Sequence, residues 1–163
     1  MEQRASALRA GIYLASPLGF TPYTARYARE VEELVRSHGL IPLDPWSAPE
    51  GAALGAAIAA GAPLKEIAEH NRRVGAANLA LIEESRAVLA CCDGIAVDDG
   101  TASEIGYAAG IGRLVVGYRT DVRTSGDNIA APLNLQILHL IEMSGGLLTT
   151  TIEHAIEELI ARL

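Results

Sequence analysis

The sequence predicts a small doubly wound α/β fold, a parallel sheet of about four or five strands with helices on both faces. Three observations predict it. Short apolar runs, GIYLA (11–15), RAVLAC (86–91) and LVVGY (114–118), alternate with stretches of helical periodicity. These runs are apolar throughout, as strands are when both faces of the sheet are covered. Half of the 163 residues are hydrophobic, enough for one buried core. No internal repeat or composition break divides the chain, so residues 1–163 are read as a single domain.

The elements follow in order. Gly11 to Ala15 is a buried strand, and Ser16-Pro17-Leu18-Gly19 is a loop. Thr21 to Ser37 places Tyr27, Val31, Leu34 and Val35 on one helical stripe, which His38-Gly39 ends. Leu40 to Leu43 is a second strand. The Ala-, Gly- and Pro-rich stretch Trp46 to Pro63 holds a short helix between two loops, and Leu64 to Glu84 is a long helix. Arg86 to Cys91 is a strand that Gly94 to Val97 continues around Asp93. Thr101 to Gly110 is a helix, Leu114 to Tyr118 a strand, and Thr120 to Ala131 a polar loop. Leu133 to Met143 and Thr149 to Leu163 are the closing helices.

Bulk properties exclude several classes. The net charge is −7 with scattered basic residues, whereas nucleic-acid readers carry a basic patch. A small substrate is expected, and no nucleic acid. The start, MEQRASALRAGIYLASPLGF, lacks an h-region because Arg9 interrupts it, and no apolar run reaches membrane-span length. A cytoplasmic location with no membrane partner follows as an expectation. Cys91 and Cys92 are adjacent, a poor disulfide pair without metal-ligand spacing, and read as two buried thiols. His38, His70, His139 and His154 are scattered as surface or cap residues. No metal or cofactor is expected.

In open parallel sheets, ligands bind beyond the carboxyl ends of the strands. That rule selects the loop after Ala15, the segment after Val97 and the loop after Tyr118. The densest chemistry is Asp98-Asp99-Gly100-Thr101-Ala102-Ser103-Glu104-Ile105-Gly106-Tyr107-Ala108. Two acids follow a strand, Gly100 permits a turn, and a helix begins with Glu104 in its first turn. Thr101 to Glu104 fits a capping box. It fits equally a carboxylate facing the crevice, kept ionised by the helix N-terminus. The residues alone leave both open.

This segment resembles the D-x-G-T/V-x-x-E-x-G-Y-A pattern of the nucleoside 2-deoxyribosyltransferase family. The resemblance extends to Gly11-Ile12-Tyr13-Leu14-Ala15-Ser16-Pro17, to the hydrophobic strand ending near Asp93-Gly94, and to Pro132-Leu133-Asn134. It implies transfer of 2-deoxyribose between nucleobases, in nucleotide salvage, through a covalent deoxyribosyl-Glu104 intermediate. It implies that Tyr13 orients Glu104 and that Asp98, six residues before it, holds a sugar hydroxyl or assists the base. Ser16, Phe20, Asn78, Gly100 and Asn134 are the implied substrate-binding residues, with Phe20 stacking on the base. Asn78 stands where some members have an aspartate; an amide hydrogen-bonds but cannot act as a general acid. Asn134 is implied to reach a neighbouring subunit's site, so a homo-oligomer with shared active sites is expected.

Related nucleotide N-hydrolases cradle a 5′-phosphate in a Gly/Ser-rich loop where this chain has Pro17 and Leu18, which offer no donor. Unphosphorylated deoxynucleosides and free bases are therefore the expected partners. Two alternatives remain: hydrolysis of a nucleoside or nucleotide by the same chemistry, and a non-catalytic nucleoside-binding module in which Glu104 only caps a helix. The Tyr118-Arg119-Thr120-Asp121-Val122-Arg123 loop is a candidate to close over the site.

Overall fold

The computed structural model describes residues 10–163. Strand β1 (Gly11–Ala15) leads to α1 (Pro22–Ser37), β2 (Ile41–Leu43), a 3-10 turn (Pro45–Ser47), α2 (Pro49–Ala59) and α3 (Leu64–Glu84). Then come β3 (Ala87–Cys91), α4 (Asp99–Gly110), β4 (Leu114–Tyr118), α5 (Leu135–Met143), β5 (Leu148–Thr149) and α6 (Ile152–Arg162). The strands form one parallel sheet in the order β2-β1-β3-β4-β5. The chain adds β2 on one side of β1 and β3 on the other. The β1/β3 boundary is thus the switch point, where an open α/β sheet leaves its crevice.

Strand period 2 divides the core. Ile12 and Leu14 of β1 face one side, with Val31 and Val35 of α1 and Ile152, Ile156 and Leu159 of α6. Tyr13 and Ala15 face the other, with Ile82 of α3, Ile105 and Ala108 of α4, and Ile141 of α5. Both faces are covered, which is why these strands are apolar at every position.

Local signals set the helix ends. Thr21 caps α1 by accepting a bond from the Thr24 amide at 3.1 Å, ahead of Pro22 in the first turn. Thr151 caps α6 in the same way through the His154 amide. The Ala-rich α2 buries none of its residues; it pairs along α3 as a hairpin.

Three expectations are corrected. Gly94 to Val97 is not a strand: Gly94 adopts φ +112°, a left-handed turn that favours glycine and ends β3. Thr149 does not begin the last helix: it belongs to β5, paired with Tyr118, and α6 starts at Ile152. Leu133 does not begin the helix before that one: α5 starts at Leu135, with Asn134 as its cap. The apolar residues of α6 pack on the chain's own sheet.

Candidate active site

Tyr13 lies mid-β1, opposite Val88 of β3, and its ring is fully buried under α4. Its hydroxyl donates to Glu104 Oε1 at 2.6 Å, across 91 residues of sequence. The bond is short and charge-assisted, the stronger sort of protein hydrogen bond. Helical side chains lean toward the helix N-terminus. Glu104 on α4 therefore points its carboxyl to the carboxyl edge of the sheet, where Tyr13 meets it. The structure brings Tyr13 and Glu104 together, as the family resemblance implies, and does so at the switch point.

The cap of α4 is not the expected one. Asp98 is the N-cap: its Oδ2 accepts from the Thr101 amide at 3.0 Å and lies 3.4 Å from the Thr101 hydroxyl. The helix starts two residues earlier than predicted, so Glu104 sits in its second turn, free of the capping role. The dipole effect fades beyond the first turn, so Glu104 ionisation is set by its immediate neighbours. Burial pushes its carboxyl up to about 7, the Tyr13 hydrogen bond pulls it down, and the Asp98 charge pushes it up. Tyr13 is itself raised well above the ordinary phenol range, first by burial and then by Glu104. It stays a donor at every working pH. Gly100 sits beside the cap: a Cβ there would lie 3.1 Å from Asp98 Oδ2.

The other predicted residues scatter around this pair. Ser16 follows β1; its hydroxyl accepts from the Leu18 amide at 3.4 Å, and its carbonyl accepts from the Trp46 indole. Phe20 is 70% exposed and meets Trp46 edge-on at 4.6 Å between ring centres. Asn78 on α3 has a buried Oδ1 with no hydrogen-bond partner among the described residues. Asn134 is exposed and caps α5, its Oδ1 accepting from the Gln136 and Ile137 amides.

Two residues escaped the sequence reading, and a third was misplaced. Asp44 follows β2, next to Leu43, which pairs with Tyr13; burial raises its carboxyl above the usual range, and its charge acts on Tyr13. Trp46 follows in the 3-10 turn that Asp44 caps. An acid directly after a short strand was the available signal. Arg119 was expected on a loop closing over the site; instead it is 6% exposed. Its guanidinium donates to the carbonyls of Cys92, Gly94 and Arg123 and to the Ser125 hydroxyl. Asp93 answers by accepting from the Thr120 amide and hydroxyl and the Asp121 amide. Among the described residues no group of three or more His, Cys, Asp or Glu is placed to hold a metal.

Fold and site define a doubly wound α/β protein with an oriented carboxylate at its switch point. The chain belongs to the nucleoside 2-deoxyribosyltransferase family, whose model matches residues 12–136. Solved structures agree. A conserved protein from Enterococcus faecalis is 27% identical, with 95% of this chain and 99% of that one covered at a TM-score of 0.67. A 2-deoxyribosyltransferase from Leishmania mexicana is 24% identical, covering 93% and 97% at 0.67. A 2-deoxyribosyltransferase from Bacillus psychrosaccharolyticus is 20% identical, covering 81% and 82% at 0.57. No curated protein matches the chain. No helix among the described residues is long and apolar enough to cross a membrane.

Proposed function

We propose that this protein transfers 2-deoxyribose between nucleobases through a covalent intermediate on Glu104. The observation that carries the reading is the 2.6 Å Tyr13–Glu104 bond, inside a segment that matches the family. The ionised Glu104 carboxylate attacks C1′ of a deoxynucleoside. The C1′–N bond breaks, and the base leaves with the electron pair and takes up a proton. A nitrogen of a second base then attacks C1′ and gives up its N–H proton to solvent, balancing the proton the first base took up, while the ester bond breaks and Glu104 is released as carboxylate. Two inversions give net retention. Tyr13 holds the nucleophile in line, while its buried hydroxyl stays protonated.

The remaining roles rest on the family match. Asp98 gives one oxygen to the helix cap and offers the other to the sugar. Ser16 and Phe20 line the base, and Asn78 hydrogen-bonds it without protonating it. The carbonyl of Asn134 is committed to capping α5, which leaves its amide nitrogen as the donor to a neighbouring subunit's sugar. Exposed Leu135 beside it, with Val122 and Ile129 on the preceding loop, supports an interface there. Pro17 and Leu18 favour unphosphorylated substrates.

The test is incubation with deoxyinosine and adenine. New deoxyadenosine, with a deoxyribosyl adduct on Glu104 by mass spectrometry when no acceptor is present, supports the reading. Free hypoxanthine without exchange makes the protein a hydrolase, and no turnover of any deoxynucleoside overturns catalysis. For the shared site, mixing Glu104→Ala and Asn134→Ala chains under subunit exchange should restore activity; no recovery overturns it.

A further inference from the structure

We propose that Trp46 is the positioning residue for the nucleobase end of this site, and that Gly19 is the matching gap that lets it act. The inference rests on the deoxyribosyl-transfer reading, which makes Ser16 and Phe20 the base-lining residues. One side chain holds both. The Trp46 indole N–H donates to the Ser16 carbonyl at 3.0 Å. Its ring packs edge-on against Phe20 at 4.6 Å between centres. Between those two contacts, the ring lies directly on Gly19: a Cβ there would fall 2.0 Å from indole Cδ2, and 2.3 and 2.5 Å from two neighbouring ring carbons. Only glycine admits the indole at this distance.

The loop and the strap are each fixed from behind. Residues 17–20 form a tight turn, the Phe20 amide donating to the Pro17 carbonyl at 3.2 Å. Trp46 is held by the Asp44 carboxylate, which accepts from the Trp46 amide at 3.1 Å and from the Ser47 hydroxyl at 3.0 Å. The loop after β1 is thus bolted to the turn after β2. Trp46 leaves the Tyr13–Glu104 pair alone, so it governs where the base sits, not how fast the bond breaks once the base is seated. Phe20, 70% exposed and with its edge contact to Trp46, would otherwise be free to rotate away.

Trp46 is the only tryptophan in the chain, so its fluorescence reports this loop without relying on turnover. The experiment titrates wild type, Gly19→Ala, Trp46→Phe, Trp46→Leu and the Gly19→Ala/Trp46→Leu double variant with adenine. Fluorescence is followed where Trp46 remains, and KM and kcat for base exchange from deoxyinosine are measured for all five. Trp46→Phe, which loses one hydrogen bond, should raise KM about threefold to tenfold with kcat within about twofold. Gly19→Ala should do at least as much and weaken the fluorescence-detected binding of adenine. Adding Gly19→Ala to Trp46→Leu should cost nothing further, because the clash partner is gone; a structural defect at Gly19 alone would persist in that double variant.

Exchange by the wild type with unchanged KM in Trp46→Leu overturns the inference and leaves the transfer reading standing. So does a loss confined to kcat, or full additivity of the two substitutions. Saturable quenching of Trp46 by adenine without any base exchange overturns the transfer reading and keeps the strap as part of a binding site. Neither quenching nor exchange overturns both.

Discussion

The carboxyl edge of the sheet has two halves, held together by different physics. After β1 and β2, the loops are joined by a neutral aromatic, Trp46 against Gly19 and Phe20, still partly open to water. After β3 and β4, they are joined by charge: buried Arg119 reaches back to the β3 loop, and half-buried Asp93 reaches forward to the β4 loop. A buried guanidinium is costly to place and costly to remove, so its loops are fixed in one arrangement. An aromatic contact tolerates small shifts at small cost. The half that carries Glu104 is the rigid one, and the half that lines the base is the adaptable one. This suits a site with one sugar chemistry and more than one base to accept.

Four experiments break or sharpen that contrast. The largest effect is expected in the rigid half. Glu104→Gln should lower kcat by about a thousandfold or more while the chain stays folded, since a carboxamide is a poor nucleophile. The same change should stabilise. In the folded chain Glu104 holds its proton up to about pH 7, while the unfolded chain gives it up near 4.5. Wild-type stability therefore falls as pH rises between those values, and the loss is complete above them. At pH 8, Glu104→Gln should be more stable by about 1–3 kcal/mol in denaturant melts. A wild-type chain as stable at pH 8 as the variant would contradict the burial of this charge.

Next, Arg119→Met should cost about 3 kcal/mol, because buried carbonyls lose their donor. In a chain of this size that corresponds to a Tm about 6–12 °C lower. Trp46→Leu should cost less than half as much; equal losses would erase the difference between the halves.

Tyr13→Phe sits at the seam, taking a β1 residue away from an α4 carboxylate. It should reduce kcat about tenfold to a hundredfold, the value of a hydrogen bond to a charged group. It should also move the pH profile. Wild-type kcat should rise with pH through about 7 as Glu104 ionises. Without the Tyr13 bond that lowers the Glu104 value, the rise should shift to more alkaline pH. An unshifted profile would separate the titration from Glu104. The smallest effect is expected for Asp93→Ala, about 1–2 kcal/mol by chemical denaturation, since the amides it leaves lie nearer solvent.

The long regular elements were legible in the sequence. The bounds of β1, α3 and β4 are those the periodicity predicts, because each is an uninterrupted apolar or amphipathic run. Tyr13 and Glu104 were legible as a pair through the family resemblance, while the carboxyl-edge rule by itself selected only the segments after Ala15 and Val97. What failed had local causes. The capping box from Thr101 misled because Asp98, a better cap, started the helix two residues sooner. The two-residue β5 is too short for any pattern to mark. The GIAV run, 94–97, reads as a strand, but the Gly94 turn and the Arg119 donors to Cys92 and Gly94 end the sheet before it. Arg119 was read as part of a loop closing over the site because nothing in one sequence tells which carbonyls a guanidinium will reach.

The two cysteines have a practical consequence. Cys91 and Cys92 are the only thiols in the chain and both are buried. Burial raises the Cys91 thiol and pushes Cys92 up to about 12. Only the thiolate reacts with an alkylating reagent, so the native protein is chemically silent to iodoacetamide until the sheet opens. Pulses of reagent followed by mass spectrometry would time that opening directly. A cysteine introduced on the exposed loop at Ile129 would carry a dye there and nowhere else.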